Sequence, residues 1–385
     1  LGDPLFRALL DCIASIPSLH SLTILPATQE KWVLKDPLFI QLMDLLGTRC
    51  CPEFDSLRIP HQRISKKGVQ SLLSLLQRKT LPKWYDLDLS YNGIGEKGGR
   101  ILACLFDHLP QTLLIQRLRV GGNKLRGSGG LCLFEALGSE ERAMLQELDV
   151  SENSLSSMAL SMLFLQIGSR VYPRLRVLSL AGNAIPHSAM STFADTIRWN
   201  AVARLTSLNL SGCSLSAHSL SILARAIQDR PLQRLKRLNL ARNRIRSKEM
   251  VMVATMLQSH CLPSLEELDI SDNPIGDEGI QECNAFDLDG VLEQVITLNM
   301  TNCKIGQDGG YAIYDNIHLG FWKSVQKLVL AGNRCSGRCV AELRSLLEET
   351  NSLKSLTLTD TNNGKKSQIV TRHSKSQEDM SKGQI

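Results

Sequence analysis

One eleven-residue pattern returns along this chain about every thirty residues: an apolar residue, two variable positions, Leu-x-Leu, two more, then Asn or a small substitute, x and a final apolar residue. Copies start at Phe54, Trp84, Ile115, Leu145, Leu175, Leu205, Leu235, Leu265, Val295, Val325 and Leu353, and weaker copies before Phe54 bring the series to about twelve. A period this regular means that each segment is one unit that buries its apolar face against the next, so the chain is expected to be a solenoid. A solenoid offers a long surface rather than a deep pocket, and that limits function more than any single residue does.

The copy Leu265–Ile275 shows the physics. Glu267 to Ser271 alternates polar and apolar, as a strand with one buried face does. Leu268 and Ile270 are expected inward, and Glu267, Asp269 and Ser271 outward. So short a strand needs the next repeat's strand beside it, which predicts a parallel sheet. Asn273 sits where the chain bends out of the strand, and its amide suits the backbone groups left open there. Asn92, Asn123, Asn153, Asn183, Asn243 and Asn333 fall at the same place, as do Cys213 and Cys303. Stacked, these residues form an expected internal Asn/Cys ladder, with Gln62 and Thr361 as poorer fits at its ends. The second half of each repeat reads as helix. Leu220, Leu223, Ala224 and Ile227 form one apolar stripe, and Met250, Val253, Ala254 and Leu257 another. Helix starts are predicted near Glu96, Ser156, Ala217, Ser247 and Asp277.

Leu-x-x-Leu-x-Leu-x-x-Asn/Cys-x-Leu followed by a full helix resembles the ribonuclease-inhibitor-like class of leucine-rich repeat proteins, over roughly residues 1 to 361. The resemblance implies an α/β horseshoe with a parallel β-sheet on the concave face and α-helices on the convex face, in about 12 repeats of about 30 residues. Family repeats usually run slightly shorter.

The chain begins inside a repeat: Leu1-Gly2-Asp3 aligns with Ile275-Gly276-Asp277. It therefore reads as a piece of a longer protein. Residues 1–53 are expected to form irregular first repeats with an insertion around Ala27 to Lys35, which contains Trp32. Residues 54–361 are the regular solenoid. From residue 362 the pattern stops, and the polar stretch to 385 is expected to be a disordered basic tail. That tail carries five of the basic residues against two acidic ones, so much of the formal +6 is local. With aromatics at 5%, neither charge nor stacking argues for nucleic acid. No apolar run approaches the length of a membrane span, so no membrane insertion is expected. The eleven cysteines are odd in number and scattered. Reduced thiols in an intracellular, cytoplasmic protein are the simpler account.

No catalytic constellation stands out. Gly127, Gly129 and Gly130 lack the lysine of a phosphate loop, and glycines there and at Gly98-Gly99 and Gly309-Gly310 are read as easing the turn into a helix. His187 and His218 hold equivalent helix-start positions, which repeat equivalence explains without a metal. Neither a metal nor a cofactor is expected, and the chain is not read as an enzyme.

Function is therefore sought on the outward strand positions. One column runs Ser56, Asp86, Arg117, Glu147, Val177, Ser207, Arg237, Glu267, Thr297, Lys327, and the other Arg58, Asp88, Arg119, Asp149, Ser179, Asn209, Asn239, Asp269, Asn299, Val329. Alternating signs predict lateral pairs between neighbouring strands: Asp86 with Arg117, Arg117 with Glu147, Asp88 with Arg119 and Arg119 with Asp149. Val177, Ser179, Ala181, Gly182, Ser207, Asn209, Ser211 and Gly212 are small and uncharged, a neutral window that a partner can approach closely. The reading is a protein-protein interaction scaffold whose partner, of unknown identity, binds the concave face across Arg117, Arg119, Glu147 and Asp149, the window, and Arg237, Asn239 and Arg242. Two alternatives follow from the resemblance: a GTPase activator of the Ran type, whose members typically carry an acidic tail unlike this one, or the sensor or substrate-recognition region of a larger receptor or ubiquitin ligase.

Overall fold

The computed structural model describes residues 4–16, 18–25, 33–48, 53–77, 84–108, 115–138, 144–285, 292–335, 337–350, 353–359 and 367–371. Strand and helix alternate throughout, and the chain divides into two compact units, 1–235 and 236–385. That division falls inside the stretch 54–361 read as one solenoid.

The first unit holds β1 (Ser21–Thr23), β2 (Ser56–Arg58), β3 (Asp86–Asp88), β4 (Arg117–Arg119), β5 (Glu147–Asp149), β6 (Val177–Ser179) and β7 (Ser207–Asn209). Each pairs in parallel with the next, and the middle leucines align in register from Leu22 and Leu57 to Leu178 and Leu208. Those leucines are buried, whereas the flanking positions are mostly half-exposed, so three residues suffice to fix which face is core. Helices α1 (Pro4–Ser15), α2 (Asp36–Thr48), α3 (Lys66–Gln77), α4 (Gly95–His108), α5 (Arg126–Leu137), α6 (Ser157–Gly168), α7 (His187–Arg198) and α8 (Ala217–Asp229) alternate with them. The core between the layers is aliphatic with buried phenylalanines among it. Phe39, Phe106, Phe134, Phe164 and Phe193 are fully buried, and the Phe164 and Phe193 rings lie 4.9 Å apart.

The second unit holds β8 (Arg237–Asn239), β9 (Glu267–Asp269), β10 (Thr297–Asn299), β11 (Lys327–Val329) and β12 (Ser355–Thr359), again parallel. Its helices are α9 (Ser247–Met256), α10 (Gly276–Ala285), α11 (Gln307–His318) and α12 (Gly337–Glu349). At the position that Phe193 holds in the first unit, this one has Val253, Ile313 and Leu343. Residues 367–371, inside the stretch expected to be disordered, form β13 (Ser367–Thr371), which runs antiparallel to β12. The rest of the tail, with Thr361, lies outside the described residues.

The five helix starts read from sequence fall within one residue of those observed. Ser156 and Ser216 cap α6 and α8 by accepting from Ala159 N (3.2 Å) and Ser219 N (3.1 Å). Elsewhere the cap comes from the preceding repeat: Asp36 accepts from Ser65 N at 2.7 Å, and Glu96 from Ser128 N at 3.0 Å. The glycine pairs do more than ease turns. A Cβ on Gly99 would lie 3.0 Å from Gly129 Cα, and one on Gly129 would lie 2.7 Å from the Glu96 carbonyl oxygen. Glycine here lets α4 and α5 approach backbone to backbone. Of the insertion expected around 27–35, residues 27–32, with Trp32, lie outside the described residues; Leu34 is buried and its N–H donates to Gln62 Oε1.

Candidate functional site

The frame of the surface is set by the turn that follows each strand. Asn153 shows the arrangement. Its Nδ2 donates to Val120 O, Val150 O and Ser151 O (2.9, 2.9 and 3.0 Å), and its Oδ1 accepts from Asn123 N and Leu125 N (3.1 and 3.2 Å). One amide thus joins two repeats. Asn92, Asn123, Asn183, Asn273 and Asn333 bond in the same manner, and Asn243 donates to Leu240 O and Ala241 O. Gln62, read as a poor fit, is buried and accepts from Leu34 N at 2.6 Å, because its extra methylene still reaches the site. The thiols are the weaker members. Cys213 donates to Leu180 O (3.4 Å) and Cys303 to Ile270 O (3.3 Å), but neither presents an amide oxygen. The N–H groups of Asn183 and Ile185 turn instead to backbone carbonyls, Leu180 O at 3.3 Å and Cys213 O at 2.9 Å. Burial pushes both thiols up to about 12.

On the sheet face of the first unit the charges meet, but not as the lateral alternation predicts. Of the four expected lateral pairs, only Asp86 with Arg117 forms (3.0 Å). Asp86 is 1% exposed and also accepts from Arg58 and, at 3.3 Å, from Arg119. Arg119 turns diagonally to Glu147 and holds it with two bonds, 2.7 and 2.9 Å. Burial works to lower the Arg119 pKa, but the hydrogen bonds and charge of Glu147, with Asp86 and Asp88, hold it above its ordinary value. Asp88 and Asp149 are not Arg119's ion partners because each is committed to its own turn: their Oδ1 atoms accept from Ser90 N and Ser151 N, both at 2.9 Å. Asn209, Asn239, Asp269 and Asn299 make the same bond two residues on. That column is turn chemistry first and surface second.

A second row, missed from sequence, lies one residue before the ladder. His61, Tyr91 and Glu152 adopt positive φ (55, 56 and 50°) and stand on the surface beside the sheet. His61 stacks on Tyr91 at 4.4 Å, and Tyr91 crosses Gly122 to donate to Glu152 at 3.1 Å. A Cβ on Gly122 would strike the Tyr91 ring. Burial, then the Glu152 charge, raises the Tyr91 pKa. The signal was the alternation of glycine with large residues at this position. The row ends with Glu152 leaning over Gly182, and Gly212 beyond it meets nothing nearer than the Gly182 backbone at 3.6 Å.

The neutral window therefore lies just past the end of both rows. Val177, Ser179, Ala181, Ser207, Asn209, Ser211 and Gly212 are all half-exposed, on β6, β7 and the turns after them, with Val177 in register with Ser207 and Ser179 with Asn209. Gly212 has φ +63°, so a side chain there carries strain, although six other repeats hold non-glycine residues in that conformation. In the second unit, Arg237 is exposed and Asn239 half-exposed on β8. Arg237 forms no ion pair among the described residues, although it lies opposite Glu267. Arg242 donates to Asp272 at 3.2 Å and Asn302 to the same carboxylate at 2.8 Å. Together they lower its pKa, the Asn302 bond most.

His187 and His218 come within 5.7 Å of each other, and no group of three metal-ligating side chains gathers among the described residues. Cys12, Cys104, Cys132, Cys213, Cys261, Cys303, Cys335 and Cys339 are free, and the other three cysteines lie outside the described side chains. No described helix is long and apolar enough to cross a membrane.

Residues 86–103, 261–282 and 295–313 match a family model described as Leucine Rich repeat, and residues 204–226 match a second one, Leucine Rich Repeat. No curated protein matches the chain. Among solved structures it is similar to a Bacteroides fragilis protein, at 15% identity over 67% of this chain and 68% of the other, with a TM-score of 0.42. It is also similar to the complex of Rad7 and Elc1 in yeast (14% identity, 91% and 86% covered, TM-score 0.37). A third is human 5T4, the trophoblast glycoprotein (20% identity, 66% and 72% covered, TM-score 0.35).

Proposed function

We propose that this leucine-rich repeat protein, of the ribonuclease-inhibitor-like form, is an interaction scaffold that binds a protein partner on the open sheet face of its first unit. One observation carries the reading. The arginine–carboxylate network and the His61–Tyr91–Glu152 row both stop beside β5, and the next two strands present only small uncharged side chains. A partner's side chain or helix reaches the backbone closely at Ser179, Ser207 and Gly212. Meanwhile the ordered guanidinium groups of Arg117 and Arg119 alongside fix its orientation. Charged rims of this kind govern encounter and register more than affinity.

The test is affinity purification with partner identification, using the wild type, Ser179→Trp on the window, and Ser191→Trp on the outer face of α7 as control. Partners of the wild type are expected to be lost at least tenfold with Ser179→Trp and kept with Ser191→Trp, circular dichroism being unchanged in both. Gly212→Trp adds a second window variant, with strain of roughly 1 kcal/mol at its positive φ. Retention of partners by both window variants, or their loss with Ser191→Trp alone, places binding elsewhere.

A further inference from the structure

Three loops of the first unit lead from a helix back to a strand: residues 169–176, 199–206 and 230–235. They hold six arginines, Arg170, Arg174, Arg176, Arg204, Arg230 and Arg234, and no carboxylate. The loop one repeat earlier carries Glu140 and Glu141, so the absence is local. Arg174, Arg204 and Arg234 recur at the same position in three successive repeats, each just before the buried leucine that opens the strand segment. Arg174, Arg176 and Arg204 line one open depression with Gln146 and Pro173. All three arginines are exposed, and none forms an ion pair among the described residues. Neighbouring basic groups behave differently: Arg198 is held by Asp195 and Asp229, and Arg119 by Glu147.

We propose that this arginine row docks an acidic, extended stretch of a protein partner that runs across the leading ends of β6 and β7. The inference rests on the reading that a protein sits on the neutral window, because the two surfaces are continuous. Arg176 immediately precedes Val177, and Arg204 stands three residues before Ser207. Unpaired guanidinium groups offer planar forks that match carboxylates in pairs. Neighbouring repeats lie about 4.8 Å apart at the sheet, and an extended chain advances about 3.4 Å per residue. Successive acidic residues of an extended run therefore bring carboxylates to Arg174 and Arg204 together. The depression has no aromatic lining on which bases would stack. Pro173 is its one apolar member, too little to enter a lipid surface.

The experiment uses the full chain and a fluorescein-labelled peptide of eight consecutive glutamates, followed by fluorescence anisotropy at two salt concentrations. The wild type is expected to bind in a salt-dependent manner. Arg174→Glu with Arg176→Glu and Arg204→Glu is expected to weaken binding at least tenfold, and the charge-neutral Arg→Gln triple variant to weaken it less. Circular dichroism checks the fold, and Arg225→Glu, away from the row, is expected to change nothing. Ser179→Trp should leave peptide binding intact, because the peptide alone does not need the window. Equal peptide binding by wild type and triple variant overturns the proposal, even where Ser179→Trp abolishes partner capture. Peptide binding lost with the arginines, while partner capture survives Ser179→Trp, keeps the acidic site and overturns the window. Tighter arginine-dependent binding of a charge-matched oligothymidylate or of phosphatidylserine vesicles also overturns the proposal, in favour of nucleic acid or membrane.

Discussion

The sheet faces of the two units carry the same kind of charge pattern and use it differently. In the first, Asp86 disappears beneath three arginines, and Arg119 closes the network onto Glu147. In the second, Arg237 and Glu267 stand in register on adjacent strands, both exposed, with no ion pair between them. Opposite charges on neighbouring strands are thus not sufficient. What distinguishes the first face is that one short carboxylate sits where three long guanidinium arms converge and exclude water, Arg117 laterally and Arg58 and Arg119 diagonally from the two sides. The second unit also pairs one residue before the ladder, where Arg242 and Asn302 share Asp272.

Removing the centre of each pattern breaks the comparison most sharply. Asp86→Ala is expected to destabilise the protein by about 3 kcal/mol, the lower end for removing one member of a buried network, because the half-exposed arginines rehydrate. Glu267→Ala should cost less than about 0.5 kcal/mol, as exposed sites do. Urea unfolding of both variants measures the difference, and equal shifts would show that the burial of Asp86 has no energetic weight.

The ladder supplies the next largest effect. Asn183→Ala leaves the buried N–H groups of Asn153 and Leu155 without a partner and takes one donor from each of three carbonyls, at roughly 1 to 3 kcal/mol. Cys213→Ala removes a weak donor only, and the loss should stay below that of Asn183→Ala. A Cys213 variant as damaging as the Asn183 variant in the same melts would mean that packing, not hydrogen bonding, sets the cost.

The smallest effect belongs to the exposed rows. Arg242→Ala loses a solvent-exposed pair and should change stability by less than about 0.5 kcal/mol, with the difference fading at high salt. Tyr91→Ala removes both the His61 stack and the Glu152 bond and should cost more, about 1 kcal/mol. Equal values would make the two rows energetically alike.

Much of the fold was legible because it is periodic. The spacing of Leu118, Leu148 and Leu178 reports a strand per repeat, and stripes such as Leu220, Leu223, Ala224 and Ile227 report helices, since burial follows period two or 3.6 wherever one face is wet. The turn residues were legible for a related reason: an amide at Asn153 has one place to go when the chain bends there. The site was less legible. The lateral pairs drawn along each column assumed that Asp88 and Asp149 are free charges, when each is closer to its own backbone than to any arginine. The Tyr91 row spans sixty-one positions to Glu152, and the alternation of glycine with large residues there takes its meaning only when the ring is seen above Gly122.

The repeat, the parallel pairing, the inward leucines and the residues of the ladder follow from the order of residues, because each rests on a local period or a local bond. The tertiary structure alone decided that Asp86 is buried and Glu267 is not. It also decided that α4 and α5 touch through Gly99 and Gly129, and that Arg174, Arg176 and Arg204 share one depression. These depend on how far a side chain reaches across repeats and on what already occupies the space. Both are properties of packing between segments about thirty residues apart, not of any one segment.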